Sequence, residues 1–543
     1  MKKIFLLPLF IFFLACHSDK SSGRISKQED DKHPNIIFIM ADDLAMQAIS
    51  SYNGIYKEVA PTPHIDRLAQ EGMQFQNVLS TNAICGPSRA SILTGNYSHV
   101  HRYYKNEKGG KFNADLWTFP QEFKQNGYQT ALFGKWHLGS EPKGFDVYKY
   151  HNAHNQQGKY NNPVYNENGK NVTEKGYATD ITTRFAIDWL KKERTSEKPF
   201  LMLLQYKAPH RPWQPPQKYL HLWDSIEMPY PASFNDDYKG RELTAGNTEM
   251  TMDYLSRRDM KLKRPDSLKK PRDKVRWDFY GAKKGEIVQP EGLSVEEGRK
   301  WRYQNFIKDY LACVKAVDDN LKLLFDYLDQ TGLADNTIIV MTSDQGFFLG
   351  EHGFFDKRFI YEQPIHMPFI IKYPKHVKPH TINNRIISNI DIAPTLLDLA
   401  HIQTTQKMQG KSFKKLLFNP DDKSWNDTFY YHYYEFPYWH HVEPHYGIRT
   451  QDYTLAHFYY DIDVWELYDL KKDSLQIHNV YNDPAYKDVV IELKKQLKEI
   501  MKYYGDDKSL DEFRKITDTD FGRLSDNKNQ ISVEEVINET HKK

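Results

Sequence analysis

From Ile36 to Met40 the chain is continuously apolar, and the run stops abruptly at Ala41-Asp42-Asp43. A half-buried strand would alternate, so this reads as a strand covered on both faces of a parallel sheet. The stretch Thr62 to Gly72 carries a cap, proline in the first turn, Ile65, Leu68 and Ala69 on one face and glycine at its end, which predicts a helix. A strand follows at Met73 to Leu79, then a polar turn, then a helix over Ser88-Arg89-Ala90-Ser91-Ile92-Leu93-Thr94 closed by Gly95. The alternation repeats. Thr118 to Asn126 predicts a short helix, Gln129 to Phe133 a strand, Ile181, Phe185 and Trp189 a helix, and Phe200 to Gln205 a strand. A long amphipathic helix is expected from about Phe306 to Leu328, then strands at Thr337 to Met341 and Pro368 to Lys372. Strands alternating with helices define the fold class as α/β, with a large mainly parallel sheet flanked by helices.

The pattern changes twice. Between Tyr230 and Arg302 the chain is polar, rich in Lys and Arg and without clear periodicity, and is read as a solvated insertion. After Ile392 to Leu399 the α/β alternation ends, and short aromatic segments such as Thr428–Tyr434 and Tyr453–Tyr459 predict a small antiparallel sheet followed by a helix from about Tyr486 to Tyr503. The expected organisation is a catalytic α/β domain over residues 34–424, a C-terminal α+β subdomain over 425–515 and a polar tail over 516–543.

The first residues read as an export signal. Lys2 and Lys3 precede an apolar run from Ile4 to Leu14, too short to span a bilayer. The run ends in Phe13-Leu14-Ala15-Cys16, which resembles a lipoprotein box. Residues 1–15 would be the signal peptide, Cys16 the lipidated first mature residue and residues 16–33 a flexible tether. The membrane would then be met only through the lipid, at the periplasmic or outer cell surface. A formal net charge of +2 over 543 residues argues against nucleic acid as a partner. Of three cysteines Cys16 is assigned to lipid, Cys313 to packing in the long helix and Cys85 to chemistry.

Cys85 stands at a predicted helix N-terminus, where free N–H groups and the helix dipole favour an anion, and Arg89 lies one turn on along the same face. In an open α/β sheet, ligands collect at the carboxyl ends of strands, and several predicted strands end in polar chemistry. One ends in Asp42-Asp43, where adjacent carboxylates call for a cation, and another in Ser343-Asp344-Gln345-Gly346. These oxygen donors suit Ca²⁺ or Mg²⁺ over zinc. A third leads into Gly134-Lys135-Trp136-His137, with Lys135 and His137 pointing the same way if the segment is extended. Lys207-Ala208-Pro209-His210-Arg211 and Glu351-His352-Gly353 … Asp356-Lys357-Arg358 add further cationic and imidazole groups.

In order and spacing, Asp-Asp after the first strand, Cys-Gly-Pro-Ser-Arg, Gly-Lys-Trp-His-Leu-Gly, Ala-Pro-His and Ser-Asp-Gln-Gly-Phe-Phe-Leu-Gly-Glu-His-Gly … Lys-Arg resemble the type I, formylglycine-dependent sulfatases, of alkaline-phosphatase-like fold. The likeness runs from about Asn35 to Leu470. It implies that a maturase converts Cys85 to formylglycine, whose hydrated aldehyde attacks the sulfate sulfur with Asp344 assisting. It also implies that Asp42, Asp43, Asp344 and Gln345 bind one Ca²⁺ together with modified Cys85. Many members have Asn or His where this chain has Gln345. Arg89 and Lys135 would hold the diol, His137 would hydrogen-bond its second hydroxyl, and Lys357 and His210 would face sulfate and leaving group, with His210 the general acid.

The C-terminal block looks similar to bacterial sulfatases acting on N-acetylglucosamine-6-sulfate. The expected reaction is exo-acting 6-O-desulfation of a sulfated glycan from glycosaminoglycan or mucin, with His352, Arg358, His440, His441 and His445 as candidate sugar contacts. The alternatives are a sulfatase for another sugar position, a phosphonate or phosphate ester hydrolase of the same superfamily, and a glycan-binding surface lipoprotein without activity.

Overall fold

In the computed structural model the run after Pro34 forms strand β1 (Asn35–Asp42), every residue of which is buried. Ile37, Ile39 and Ala41 enter one apolar cluster, while Ile36, Phe38 and Met40 enter another. The unbroken apolar run therefore reflects two covered faces. The first cluster takes in Ile181, Phe185 and Trp189 of helix Ala178–Lys192 and Phe306, Val317 and Leu324 of helix Val295–Gln330. The second takes in Ile92 of helix Cys85–Thr94, Phe119 and Phe123 of helix Phe119–Gln125, and Ile392 and Leu396 of helix Ile392–Leu399. The structure describes residues 33–106, 110–255, 259–261, 288–437 and 440–519, those from Pro34 on within one compact unit. The predicted signal peptide, Cys16, most of the tether and residues 520–543 of the predicted tail lie outside the described residues.

The main sheet has ten strands in the order β12-β2-β11-β8-β1-β7-β3-β4-β5-β6. These are β2 (Met73–Leu79), β3 (Gln129–Gly134), β4 (Val147–His151), β5 (Val164–Glu167), β6 (Lys170–Thr173), β7 (Phe200–Pro209), β8 (Thr337–Ser343), β11 (His366–Lys372) and β12 (Thr381–Ser388) beside β1; β9 (Phe348–Leu349) and β10 (Phe355–Asp356) pair separately. The centre, β8-β1-β7-β3-β4, is parallel. Strand β11 runs antiparallel to both neighbours, and β5 and β6 form an antiparallel edge. The sheet is thus mixed, mostly parallel where it is thickest.

A second sheet, β13 (Phe429–Tyr433), β14 (His445–Arg449), β15 (Tyr453–Phe458) and β16 (Val464–Asp469), is antiparallel throughout. Its aromatic density has a packing cause. Tyr431 and Tyr433 face Leu79, Phe348 and Ile360, whereas Tyr430 faces Leu493, Leu497 and Met501 of helix Lys487–Tyr504. Among the described residues no helix is long and apolar enough to cross a membrane.

Three expectations need correction. The long helix begins at Val295, eleven residues before Phe306, because Ser294 and Glu297 form a capping box that starts it on a polar turn. The stretch from Tyr230 is not wholly solvated: Phe234, Ala245, Met250 and Met252 are buried, and Asp236 pairs with Arg241 inside the protein. The tail does not begin at 516, since helix Leu510–Asp518 continues through it, capped by Ser509 and seated by Phe513. Replacing Ser294 by Ala should lower stability by about 1 kcal/mol, with faster amide exchange confined to residues 295–298. A urea titration with hydrogen exchange would show this, and unchanged exchange there would refute the capping role.

Candidate active site

The turn after β1 is built to present two carboxylates. Ser343 Oγ donates to Ala41 O (2.9 Å) and accepts from Leu44 N (2.9 Å), so β8 grips the end of β1. Tyr310, from the long helix, donates to Asp43 O (2.7 Å) and accepts from Ala45 N (2.9 Å). Asp43 takes a left-handed backbone, φ 60°, and its N–H donates to Asp344 Oδ1 (3.1 Å). Asp42, Asp43, Asp344 and Gln345 are all fully buried.

Helix Cys85–Thr94 points its first turn at this group. Arg89 is 1% exposed and spends its guanidinium inside the site: Nε to Asp344 Oδ2 (2.9 Å), Nη1 to Lys135 O (2.8 Å) and Gln205 Oε1 (2.9 Å), and Nη2 to Asp42 Oδ1 (3.4 Å). Lys135 Nζ donates to Asp42 Oδ2. Lys357 Nζ donates to Asp43 Oδ1 (2.6 Å). Cys85 Sγ lies 3.8 Å from Asp43 Oδ1, and His210 Nε2 lies 3.7 Å from Asp43 Oδ2. His210 Nδ1 is held by Arg211 O (2.7 Å). The structure therefore brings Asp42, Asp43, Cys85, Arg89, Lys135, His210, Asp344, Gln345 and Lys357 together at the carboxyl ends of β1, β3, β7 and β8, joined by the loop after β10.

Lys135 and His137 are not on an extended segment. Strand β3 ends at Gly134 with φ 105°, and His137 sits at φ 55°. A Cβ on Gly134 would lie 1.8 Å from Gln205 O, so only glycine lets β3 meet β7 here while turning Lys135 inward.

Burial dominates the electrostatics. It raises the Asp42 carboxyl, but Lys135, His210 and Arg89 outweigh it and hold the group well below the usual carboxylate range. Burial lifts Asp43 to about 6 against the pull of Lys357, and lifts Asp344 to about 7 with the help of Asp42. Burial also drives the Cys85 thiol well above its ordinary value, so the bare thiol is a poor nucleophile here. Burial and the neighbouring Lys135 bring Lys207 down to about 7.

The donor set fits a hard cation. Ligand atoms of Asp42, Cys85 and Asp344, and of Asp43, Cys85 and His210, lie within 4.8 Å of one another in each group. Asp43 Oδ2 and Gln345 Oε1 are buried with no hydrogen-bond partner. One unused carboxylate oxygen and one unused amide oxygen, beside the carboxylates of Asp42 and Asp344, are what a site for Ca²⁺ or Mg²⁺ offers.

The five candidate sugar contacts divide. His440 Nε2 is 3.2 Å from Asp356 Oδ2 and 3.2 Å from Arg211 Nη1, and Arg358 pairs with Glu435 (3.0 Å), so both line a charged rim beside Lys357. His441 is partly exposed, with its ring 4.9 Å from that of Phe436. His352 and His445 stand apart from that rim. His352 is buried with Nδ1 on Asp236 (2.6 Å), and His445 is held by Ile360 N (3.1 Å) and Glu443 O (2.7 Å). Both rings hold loops in place and reach no group of the carboxylate cluster. Sequence reasoning missed Gln205, Asp356 and Glu435. Only Gln205 left a signal, as a polar residue in an otherwise apolar strand.

This fold and this cluster define a hydrolase of anionic esters, and the comparisons give its family. Residues 34–402 match the sulfatase family model and residues 350–503 the C-terminal model of N-sulphoglucosamine sulphohydrolase. The chain belongs to the sulfatase family and is a sulfuric ester hydrolase. It is 43% identical over 521 residues to the N-acetylglucosamine-6-O-sulfatase of Bacteroides thetaiotaomicron, covering 92% of this chain and 91% of that one. A protein solved in complex with its substrate, D-glucosamine-2-N,6-O-disulfate, superposes with a TM-score of 0.82 at 44% identity, covering 88% of this chain and 99% of the other. A phosphonate monoester hydrolase from Silicibacter pomeroyi shares the fold (TM-score 0.66, 22% identity, 87% of this chain and 96% of that one).

Replacing Gly134 by Ala should cost on the order of 2–4 kcal/mol, from the forced backbone and the contact with Gln205 O. A urea midpoint equal to wild type would show that β3 can shift to make room.

Proposed function

We propose that this sulfatase removes the 6-O-sulfate from terminal N-acetylglucosamine-6-sulfate of a glycosaminoglycan or mucin glycan. The observation that carries this is the 43% identity, over nearly the whole of both chains, to an enzyme of that specificity. The charged rim of Asp356, Arg358, His440 and Arg211 beside Lys357 supports it, since it supplies donors and acceptors for sugar hydroxyls next to the sulfate pocket.

The residues divide the work by position. Arg89, Lys135 and Lys357 concentrate positive charge where sulfate oxygens would bind. Asp42, Asp43, Asp344 and Gln345 would hold Ca²⁺, which supplies charge stabilisation for the sulfuryl oxygens when bound. Cys85 would be carried as formylglycine, whose hydrated form supplies the nucleophile in this family. His210 donates Nδ1–H to Arg211 O, so Nε2 is the nitrogen that faces the site. Burial and Lys135 push the ring's pKa well down, and it serves as general acid in the imidazolium form, which the negative charge of a bound sulfate ester favours. Asp344, held by Arg89, serves as the carboxylate beside the nucleophile. On this reading a catalytic part over 34–424 and a C-terminal part from 425 through the helix ending at Asp518 share this rim, where Glu435 pairs with Arg358.

Export as a lipoprotein anchored through Cys16, with a maturase acting on Cys85, completes the reading. Peptide mass spectrometry on protein from its native host is expected to find the aldehyde in place of the thiol at residue 85 and an acylated residue 16. An unmodified thiol in active protein would overturn the nucleophile. Removing divalent metal with a chelator should abolish turnover, and added Ca²⁺ should restore it; full activity after metal removal confirmed by elemental analysis would overturn the cation's role. Competitive assays on defined sulfated monosaccharides should favour N-acetylglucosamine-6-sulfate, and preference for a 2-O, 3-O or galactose sulfate would refute the substrate. The phosphonate alternative rests on likeness of fold alone, and kcat/KM on aryl sulfate should exceed that on aryl phosphonate.

A further inference from the structure

His137 is held by residues from a part of the chain with no recognised motif. It follows the end of β3, and the loop that reaches it follows the end of the adjacent strand, β4. That loop runs through three successive left-handed residues, His154, Asn155 and Gln156 (φ 52°, 52° and 64°), and closes at Gly158 (φ 76°). Gly158 lies flat on the buried His151 at the end of β4: a Cβ there would sit 2.5 Å from the ring. The loop is thereby seated on the sheet, and two consecutive glutamines project from it.

Gln156 holds the backbone just past His137. Its Oε1 accepts from Leu138 N (3.1 Å) and Gly139 N (3.0 Å), and its Nε2 donates to Ser140 O (3.1 Å). Gln157 holds the ring, with its Nε2 2.7 Å from His137 Nε2. An amide nitrogen can only donate, so the ring nitrogen facing it must accept, and a neutral imidazole then carries its proton on the other nitrogen. His137 Nδ1 is buried and has no partner, and Gln157 Oε1 has none either. Burial and the charge of Lys135 push the ring's pKa well below its ordinary value, with Arg89 and Lys357 acting in the same direction, so the ring is neutral.

We propose that Gln156 and Gln157 are positioning residues for desulfation: Gln156 fixes the turn that carries His137, and Gln157 sets its tautomer so that Nδ1–H is offered as a neutral donor to an oxygen in the anion pocket. A neutral N–H suits this place, because it satisfies an oxygen of the anion without adding a fourth charge to Arg89, Lys135 and Lys357. The inference rests on the sulfate-ester reading of the pocket. Its test separates the two by including measurements that do not depend on which ester is cleaved.

Gln157→Met keeps length and removes the donor; Gln157→Glu keeps shape and, as the carboxylate, can only accept, which puts the ring proton on Nε2. Wild type and both variants, purified as the full chain, would be compared in kcat and KM on the sulfated monosaccharide, in inorganic sulfate binding by calorimetry, and in ¹⁵N-histidine correlation spectra that report the His137 tautomer. Gln157→Met should lose about 10–100-fold in kcat/KM, the range expected for an outer residue that orients a functional one, with weaker sulfate binding and an unchanged melting temperature. Gln157→Glu should lose more and show the proton on Nε2. Wild-type kcat/KM and sulfate affinity in Gln157→Met, or a wild-type spectrum with the proton on Nε2, would overturn the proposal. If Gln157→Met fails to fold, the isosteric Gln157→Glu decides the matter through its sulfate affinity and tautomer. If no sulfate ester is cleaved by wild type, the functional reading falls while sulfate binding and tautomer still test this one.

Discussion

The structure depends on neutralising three buried carboxylates at the edge of a parallel sheet. Asp42, Asp43 and Asp344 lie close enough to repel, and in a water-poor interior that repulsion is strong. Arg89 bridges Asp42 and Asp344, Lys135 takes Asp42, and Lys357 takes Asp43. Each cation arrives on a different element, so one electrostatic constraint ties the first strand, the Cys85 helix, β3 and the loop after β10 into a single arrangement. Asp43 and Asp344 still stand at about 6 and about 7. The protein cations alone do not compensate the cluster fully, which matches a donor set suited to a divalent ion.

That constraint explains why the pocket lies where it does. Parallel strands release their chain at one edge, and the side chains just past each strand end converge without long loops. Ser343 and Tyr310 then fix the turn after β1 by backbone contacts. The connection between β13 and β14 adds the far wall, through Glu435 on Arg358 and His440 on Asp356.

Much of this was legible in the residues. A strand that stops at Asp42-Asp43, a helix opening at Cys85 with Arg89 one turn on, and helix Pro63–Glu71 follow from patterning and local chemistry alone. The cap of that last helix, however, is not the local Thr62 but Asp318 of the long helix, whose Oδ1 accepts from His64 N and Ile65 N. The short strands β4 to β6 were not legible, because they are four or five residues long and carry little apolar periodicity. The first turns of the long helix are polar and announce themselves only through a cap. Histidine-rich spacing could not separate His440, which reaches the rim, from His352 and His445, whose nitrogens serve Asp236 and the backbone at Ile360. Gln156 and Gln157 belong to no motif, and only coordinates show them at work.

The strand order also has a kinetic meaning. Central strand β1 pairs with β7 and β8, whose residues lie some hundred and sixty and three hundred positions further along the chain, as in Ile36 with Leu201 and with Ile338. Such long-range pairings form late, because a large loop must close before any contact rewards it. During synthesis the segment bearing Cys85 therefore spends the interval before β8 emerges without Asp344 and Lys357, which later enclose it. Chemistry needing an open thiol has a natural time window, set by topology, which closes when residue 344 takes its place.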